Sequence, residues 1–185
     1  MYYVINDYYN LISSKNSIIM FNIVPNSYYQ KEFYENLLTN NIDGIIVFVN
    51  SKPNLKLLML LNELDIPLLV VSNYNLDKMG LKVVKPNNLI DLTFNKVDQK
   101  VTRPFKIDVV EKYIKLIEDE LDIHPRLKRF VSIQILYENS YFDFLLTDKI
   151  VKLKLELEEK INKSAKKIID ETLDYFIEHS FNINK

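Results

Sequence analysis

The chain has 185 residues, 48% of them hydrophobic and 26% charged, which suits one domain or a domain with a small appendage and excludes disorder over most of its length. Lys and Arg (24) nearly balance Asp and Glu (25), giving a formal net charge of -1, so the broad positive footprint of a nucleic-acid binder is not expected. The absence of Cys excludes disulfides, iron–sulfur clusters, thiolate zinc sites and a Cys nucleophile.

Taken in chain order, residues 2–5 and 8–12 are rich in aromatic and β-branched types and read as a strand start. Ser13-Ser14-Lys15-Asn16 supplies a turn, residues 17–24 return as a strand, and Pro25-Asn26 ends it. Ser27, with Gln30 at capping-box spacing, opens a helix to about residue 40 that carries Tyr29, Phe33, Leu37 and Leu38 at helical intervals. Asp43-Gly44 leads into the unbroken apolar run 45–49, which predicts a strand covered on both faces. After Ser51-Lys52-Pro53-Asn54 comes a helix that is apolar almost all round, ended by Asp65-Ile66-Pro67, and residues 68–71 form a second buried strand. Strand, helix and strand in so short a span predict a right-handed parallel crossover.

Ser72-Asn73-Tyr74-Asn75 then sits at the carboxyl end of that strand, where open α/β sheets bind ligands. A helical turn over 76–79 closed by Gly80, an extended stretch over 81–84, a helix over 89–94 and a strand over 100–102 complete this part. From Asp108 onward the pattern is helical throughout. One stripe runs through Val109, Tyr113, Ile117 and Leu121, a second helix follows Pro125, and a short one surrounds Leu145. The Lys- and Glu-rich segment 147–179 keeps one helical spacing through Ile150, Leu157, Ile161, Ile168 and Phe176. The expected division is an α/β unit over 1–106 and an all-α unit over 107–185. No apolar stretch approaches the ~20 residues of a membrane span, and Met1-Tyr2-Tyr3-Val4 carries no secretory pattern. The expected compartment is the cytoplasm.

Several short strings resemble, in order, the cytosolic part of the ferrous-iron transport protein B family, a GTPase-like domain followed by a small helical domain. Ile23-Val24-Pro25-Asn26-Ser27-Tyr28 is similar to that family's Asp-Leu-Pro-Gly-Thr-Tyr. Asp43-Gly44-Ile45-Ile46-Val47-Phe48-Val49 is similar to its Asp-Val-Ile-Val-Asn-Val-Val, and Asn54-Leu55, Glu63-Leu64 and Ile66-Pro67 to its Asn-Leu…Glu-Leu-Gly-Ile-Pro helix. Asn73 stands where the guanine-reading Asn-x-x-Asp begins, and Gly80-Leu81-Lys82-Val83 resembles Gly-Ile-Lys-Ile. The run from Arg129 to Glu138 resembles the helical domain's Arg-Trp-x-Ala-Ile-Lys-Leu-Leu-Glu. The resemblance implies a truncated P-loop-GTPase-like, mostly parallel sheet with flanking helices, followed by a small all-α domain.

The departures from that pattern fall on the chemistry. No Gly-x-x-x-x-Gly-Lys-Ser/Thr occurs, and only Gly44 and Gly80 are present at all, whereas phosphate cradles need glycines for close backbone turns. The chain begins at what the resemblance makes the second strand. Asp-x-x-Gly has become Ile23-Val24-Pro25-Asn26, and Asn73-Tyr74-Asn75-Leu76 replaces the Asp by Leu76, with Asp77 one position late. A charge-assisted hydrogen bond contributes about 1.5–3 kcal/mol, so losing the Asp pair weakens guanine binding by roughly one to three powers of ten. Phosphoryl transfer relies on positioned cations and amides, the parts that are lost. Hydrolysis by this chain alone is not expected, nor is any cofactor. Without an inserted first strand, segment 18–24 is expected to close directly onto 45–49.

Other candidates have bland readings beside the sharp ones. Asn73 reads as a residual base contact or as a loop residue satisfying its own backbone. His124, beside Glu118-Asp119-Glu120-Leu121-Asp122, reads as a weak metal ligand or as a helix cap on a solvated acidic end, and no metal is expected. Lys149, Lys152, Lys154, Lys160, Lys163, Lys166 and Lys167 read as a phospholipid or nucleic-acid surface, or as a solvated face balanced by Glu156, Glu158 and Glu159. The Tyr pairs at 2–3, 8–9 and 28–29 read as base-stacking platforms or as core and rim. Ser, His and Asp occur without a Gly-x-Ser-x-Gly elbow. The resulting expectation is a non-catalytic interaction or regulatory module linked to ferrous-iron transport. Its expected partner is a protein, an iron transporter or a P-loop-containing chain, reached from the cytoplasm or peripherally at the membrane, with a homo-oligomer also open. The alternatives are a GTP-binding subunit whose phosphate loop comes from another chain, and a nucleic-acid binder using the N-terminal aromatics.

Overall fold

The computed structural model of the chain describes residues 31–40, 42, 44–49, 54–76, 79–85 and 108–181. The expected strands over 2–24 and 100–102, the helix over 89–94 and the closure of 18–24 onto 45–49 lie outside these residues.

Three short strands make a parallel sheet in the order β1 (Ile45–Val49), β2 (Leu68–Ser72), β3 (Lys82–Val84). Ile45 stands opposite Leu68 and Leu69 opposite Lys82. The crossover between β1 and β2 is α2 (Leu55–Leu61), which Asn54 starts by accepting a hydrogen bond from the Leu57 amide at 3.1 Å. Asn is favoured at such a cap because its side-chain oxygen satisfies an amide that lacks a helical partner. Leu57 to Leu61 are all buried, as the sequence leads one to expect of a helix wedged against a sheet. Gly80 turns the chain into β3 at φ 70, a left-handed conformation that costs glycine little.

β2 is buried almost throughout, but β1 is only half-buried and Ile46 is exposed. This corrects the expectation that β1 is covered on both faces. Among the described residues β1 pairs with β2 alone.

From Asp108 on, the described elements are helices: α3 (Asp108–Glu120), α4 (Pro125–Leu136), a 3-10 helix (Ser140–Leu145), α5 (Asp148–Ile161) and α6 (Ala165–Phe181). The single stripe read over 147–179 is two helices. Asn162 adopts the left-handed conformation at φ 53 and ends α5, and the Ser164 hydroxyl accepts from the Lys167 amide at 3.3 Å to start α6. Asn tolerates that conformation because its short polar side chain bonds locally. Both helices turn their apolar stripes to one core, so spacing alone hides the break.

Buried side chains from both sides of residue 107 join one apolar cluster, from Leu60, Val70 and Met79 to Ile114, Phe130 and Leu173. α1 (Lys31–Thr39) contributes Tyr34, whose ring stacks on Tyr141 at 5.2 Å and meets Phe142 edge-on at 5.1 Å.

Candidate functional site

The site at the carboxyl end of the sheet is built by one turn. The Ser72 hydroxyl, itself buried, accepts from the Tyr74 amide at 3.0 Å. This fixes a tight turn and leaves Asn73, Tyr74 and Asn75 exposed. The chain then dives inward: Leu76 is 1% exposed and, with Met79 and Leu81, belongs to the core. At the position where the resemblance puts a guanine-reading carboxylate, an isobutyl group is packed among apolar neighbours. Asp77, one position on, lies outside the described residues.

A charged cluster lies behind the sheet. Arg129 on α4 donates from Nε to Glu63 at 2.6 Å and, as a fork, to both oxygens of Glu111 at 2.7 and 2.9 Å. Glu118 Oε1 lies 3.8 Å from its Nη1. Glu63 follows α2, and Glu111 and Glu118 stand two turns apart on α3, so one guanidinium ties three segments together. Burial disfavours the charge on Arg129, but the bonds to Glu111 and Glu63 outweigh it and hold its proton more tightly than in water. The cluster contains no nucleophile–base pair, and its donors are spent on the carboxylates. It positions elements rather than reacting. Sequence reading missed it because the partners Arg129 and Glu63 are 66 residues apart; the one local hint was an Arg directly beside the apolar Phe130-Val131.

A second cluster docks α6 on α2. Lys56 donates to Asp170 at 2.8 Å and to Asp174 at 3.0 Å, and the Tyr137 hydroxyl donates to Asp170 at 2.9 Å. Burial pushes the Asp170 carboxyl up, yet the bonds from Lys56 and Tyr137 outweigh this and hold it below the usual carboxylate value. Burial likewise opposes the Lys56 charge, and Asp170 and Asp174 overcome it to raise that ammonium's pKa. A depressed carboxyl contributes stability that is complete above its unfolded value of about 3.9 and is lost as pH falls through the lower folded value. A raised lysine contributes stability below about 10.4 that is lost as pH rises through the folded value. Asp170→Asn is therefore expected to lower stability by about 1 kcal/mol near neutrality. In urea titrations across pH, the gap to the unchanged protein closes in acid; a gap that persists unchanged to pH 2 rules this account out.

His124 is the N-cap of α4, its Nδ1 accepting from the Arg126 amide at 3.3 Å. It thus serves as a cap, and among the described residues no group of three His, Asp or Glu is placed to hold a metal. It also lines an open groove of about 230 Å³ with Leu37, Ile66 and Leu127. Lys149 is bonded to Glu120, Lys154 to Glu138 at 2.8 Å and Lys163 to Glu171 at 3.0 Å, while Lys152 lies 4.0 Å from Glu156. The lysine run is interleaved with carboxylates in space as in sequence. The three Tyr pairs lie outside the described residues. No helix among the described residues is long and apolar enough to cross a membrane.

No protein-family model and no curated protein matches the sequence. Solved structures do match. A GDP-bound mutant of the S. thermophilus FeoB G-domain superposes with a TM-score of 0.68 at 22% identity, covering 86% of this chain and 75% of that one. An S. thermophilus NFeoB mutant without nucleotide gives 0.65 at 22%, covering 83% and 73%. The mGMPPNP-bound NFeoB gives 0.64 at 21%, covering 80% and 70%. The fold is therefore that of a FeoB G-domain, as the order of short strings in the sequence led one to expect: a small parallel sheet with flanking helices and further helices after it.

Proposed function

We propose that this chain is a G-domain-like protein that does not hydrolyse GTP and acts as a protein-binding module in ferrous-iron transport, working from the cytoplasm. The observation that carries the reading is Leu76, buried where guanine recognition requires a carboxylate. A carboxylate there accepts hydrogen bonds from the base; a leucine offers none and leaves the polar edge of a bound guanine unpaired. The sequence has no glycine-rich lysine loop to wrap phosphates either. Asn73 remains exposed at the sheet end and is the candidate for a residual base contact. Such a scaffold has no nucleotide-dependent pair of states and offers a fixed surface to a partner. The iron-transport setting rests on the fold shared with FeoB G-domains.

The test is calorimetric titration of the chain with GDP, and with a non-hydrolysable GTP analogue plus Mg²⁺. The expected result is no saturable binding below about 1 mM, that is, less than about 4 kcal/mol of binding free energy. A micromolar Kd for either nucleotide overturns the proposal. Binding that emerges only when a P-loop-containing chain is added replaces it with the split-site alternative.

A further inference from the structure

We infer that the outer face of α5 is a docking surface for a basic amphipathic helix of a partner protein. Phe144 is 66% exposed, Leu155 54%, Val151 41% and Leu146 40%. Single exposed apolar residues are ordinary, but these four fall within one continuous stretch, at the end of the 3-10 helix and along α5. Ile150 and Leu157 fill the inner side of α5 and are fully buried, so Val151 and Leu155 belong to the face turned away from the core.

Charge selects the occupant. Asp148, Val151, Leu155 and Glu159 follow one another at helical spacing and form a single stripe, acid then two apolar residues then acid, about 16 Å long. Asp143 adds an exposed acid beside Phe144. The nearby Lys149 and Lys152 face Glu120 and Glu156. Glu159 lies in the last turn of α5, where negative charge works against the helix dipole. A second copy laid antiparallel on this stripe sets Asp148 against the other copy's Glu159, acid on acid. An anionic membrane meets the same repulsion. A helix carrying two apolar side chains four residues apart, with Lys or Arg one turn beyond each, satisfies both features of the stripe. This inference is independent of whether the sheet end binds nucleotide.

The experiment is fluorescence anisotropy of the full chain with a labelled Leu/Lys amphipathic peptide of about 18 residues, long enough to hold a helix on a surface. Its Leu/Glu counterpart is the control. The Leu/Lys peptide is expected to bind at least about tenfold more tightly than the Leu/Glu peptide. Leu155→Ser is expected to weaken it about fivefold, from the loss of a half-exposed leucine's burial. The pair Asp148→Lys and Glu159→Lys is expected to reverse the preference between the peptides. Thermal melts of Leu155→Ser close to the unchanged protein's show that lost binding is not lost folding. Failure of both peptides to bind, equal binding of the two, or an unchanged Kd in Leu155→Ser overturns the inference. So does sedimentation showing a dimer that Leu155→Ser dissolves, or flotation with phosphatidylglycerol vesicles.

Discussion

Replacing Arg129 by alanine is expected to destabilise the fold by about 3–5 kcal/mol, a large part of the 5–15 kcal/mol that holds a typical domain together. The reason is Glu63, whose side chain is 0% exposed while Arg129 is 8% exposed. Removing the guanidinium takes a short charge-assisted bond from that buried carboxylate, and it also takes the fork from Glu111. The cost is that of withdrawing one cation from two carboxylates, not the net worth of the ion pair. The double change Arg129→Met with Glu63→Leu, which removes both charges and keeps the volume, is accordingly expected to recover most of the loss. Urea titration followed by circular dichroism measures both. If Arg129→Ala unfolds within about 1 kcal/mol of the unchanged protein, the cluster does not tie these helices together.

The second large effect is expected at the sheet end. Leu76→Asp restores, in sequence, the carboxylate of a guanine-reading motif. In this fold it removes a fully packed leucine, worth about 2–5 kcal/mol even when replaced by alanine, and buries an unpaired charge in its place. The expected cost is at least about 4 kcal/mol, enough to leave a chain of ordinary stability largely unfolded at 37 °C. Millimolar GDP is expected to bring no recovery, because a ligand stabilises only what it binds. A Leu76→Asp chain that keeps its Tm, and gains from GDP, contradicts the proposed function and leaves the fold unaffected.

Parts of this structure were legible because the chain is punctuated there. In the β1–α2–β2 unit Asn54 precedes the helix and Pro67 the second strand, and the apolar runs are too short for anything but strands and one helix. The position of Asn73 beyond β2 follows from the same reading. Asn162 was not legible, since its left-handed turn separates two helices whose apolar positions continue in phase. The half-exposure of β1 was not legible either, because an unbroken apolar run has the same composition whether both of its faces are covered or not. Ion pairs such as Arg129–Glu63 and Lys56–Asp170 join residues remote in sequence, and no periodicity encodes them. On α5 the helical spacing picked out Ile150 and Leu157, which face inward, and passed over Val151 and Leu155. Which of its residues face outward had to await the packing of Ile150 and Leu157.

The apolar cluster that joins residues on both sides of position 107 makes distant segments thermodynamic relatives. The central strand is expected to open to deuterium only when the cluster opens, so that its amide exchange reads the free energy of the whole. A helix seated on α5 at a hundred times its Kd adds about 2.7 kcal/mol to that free energy. Occupancy of α5 is thereby expected to appear as slower exchange at the distant, buried Val70.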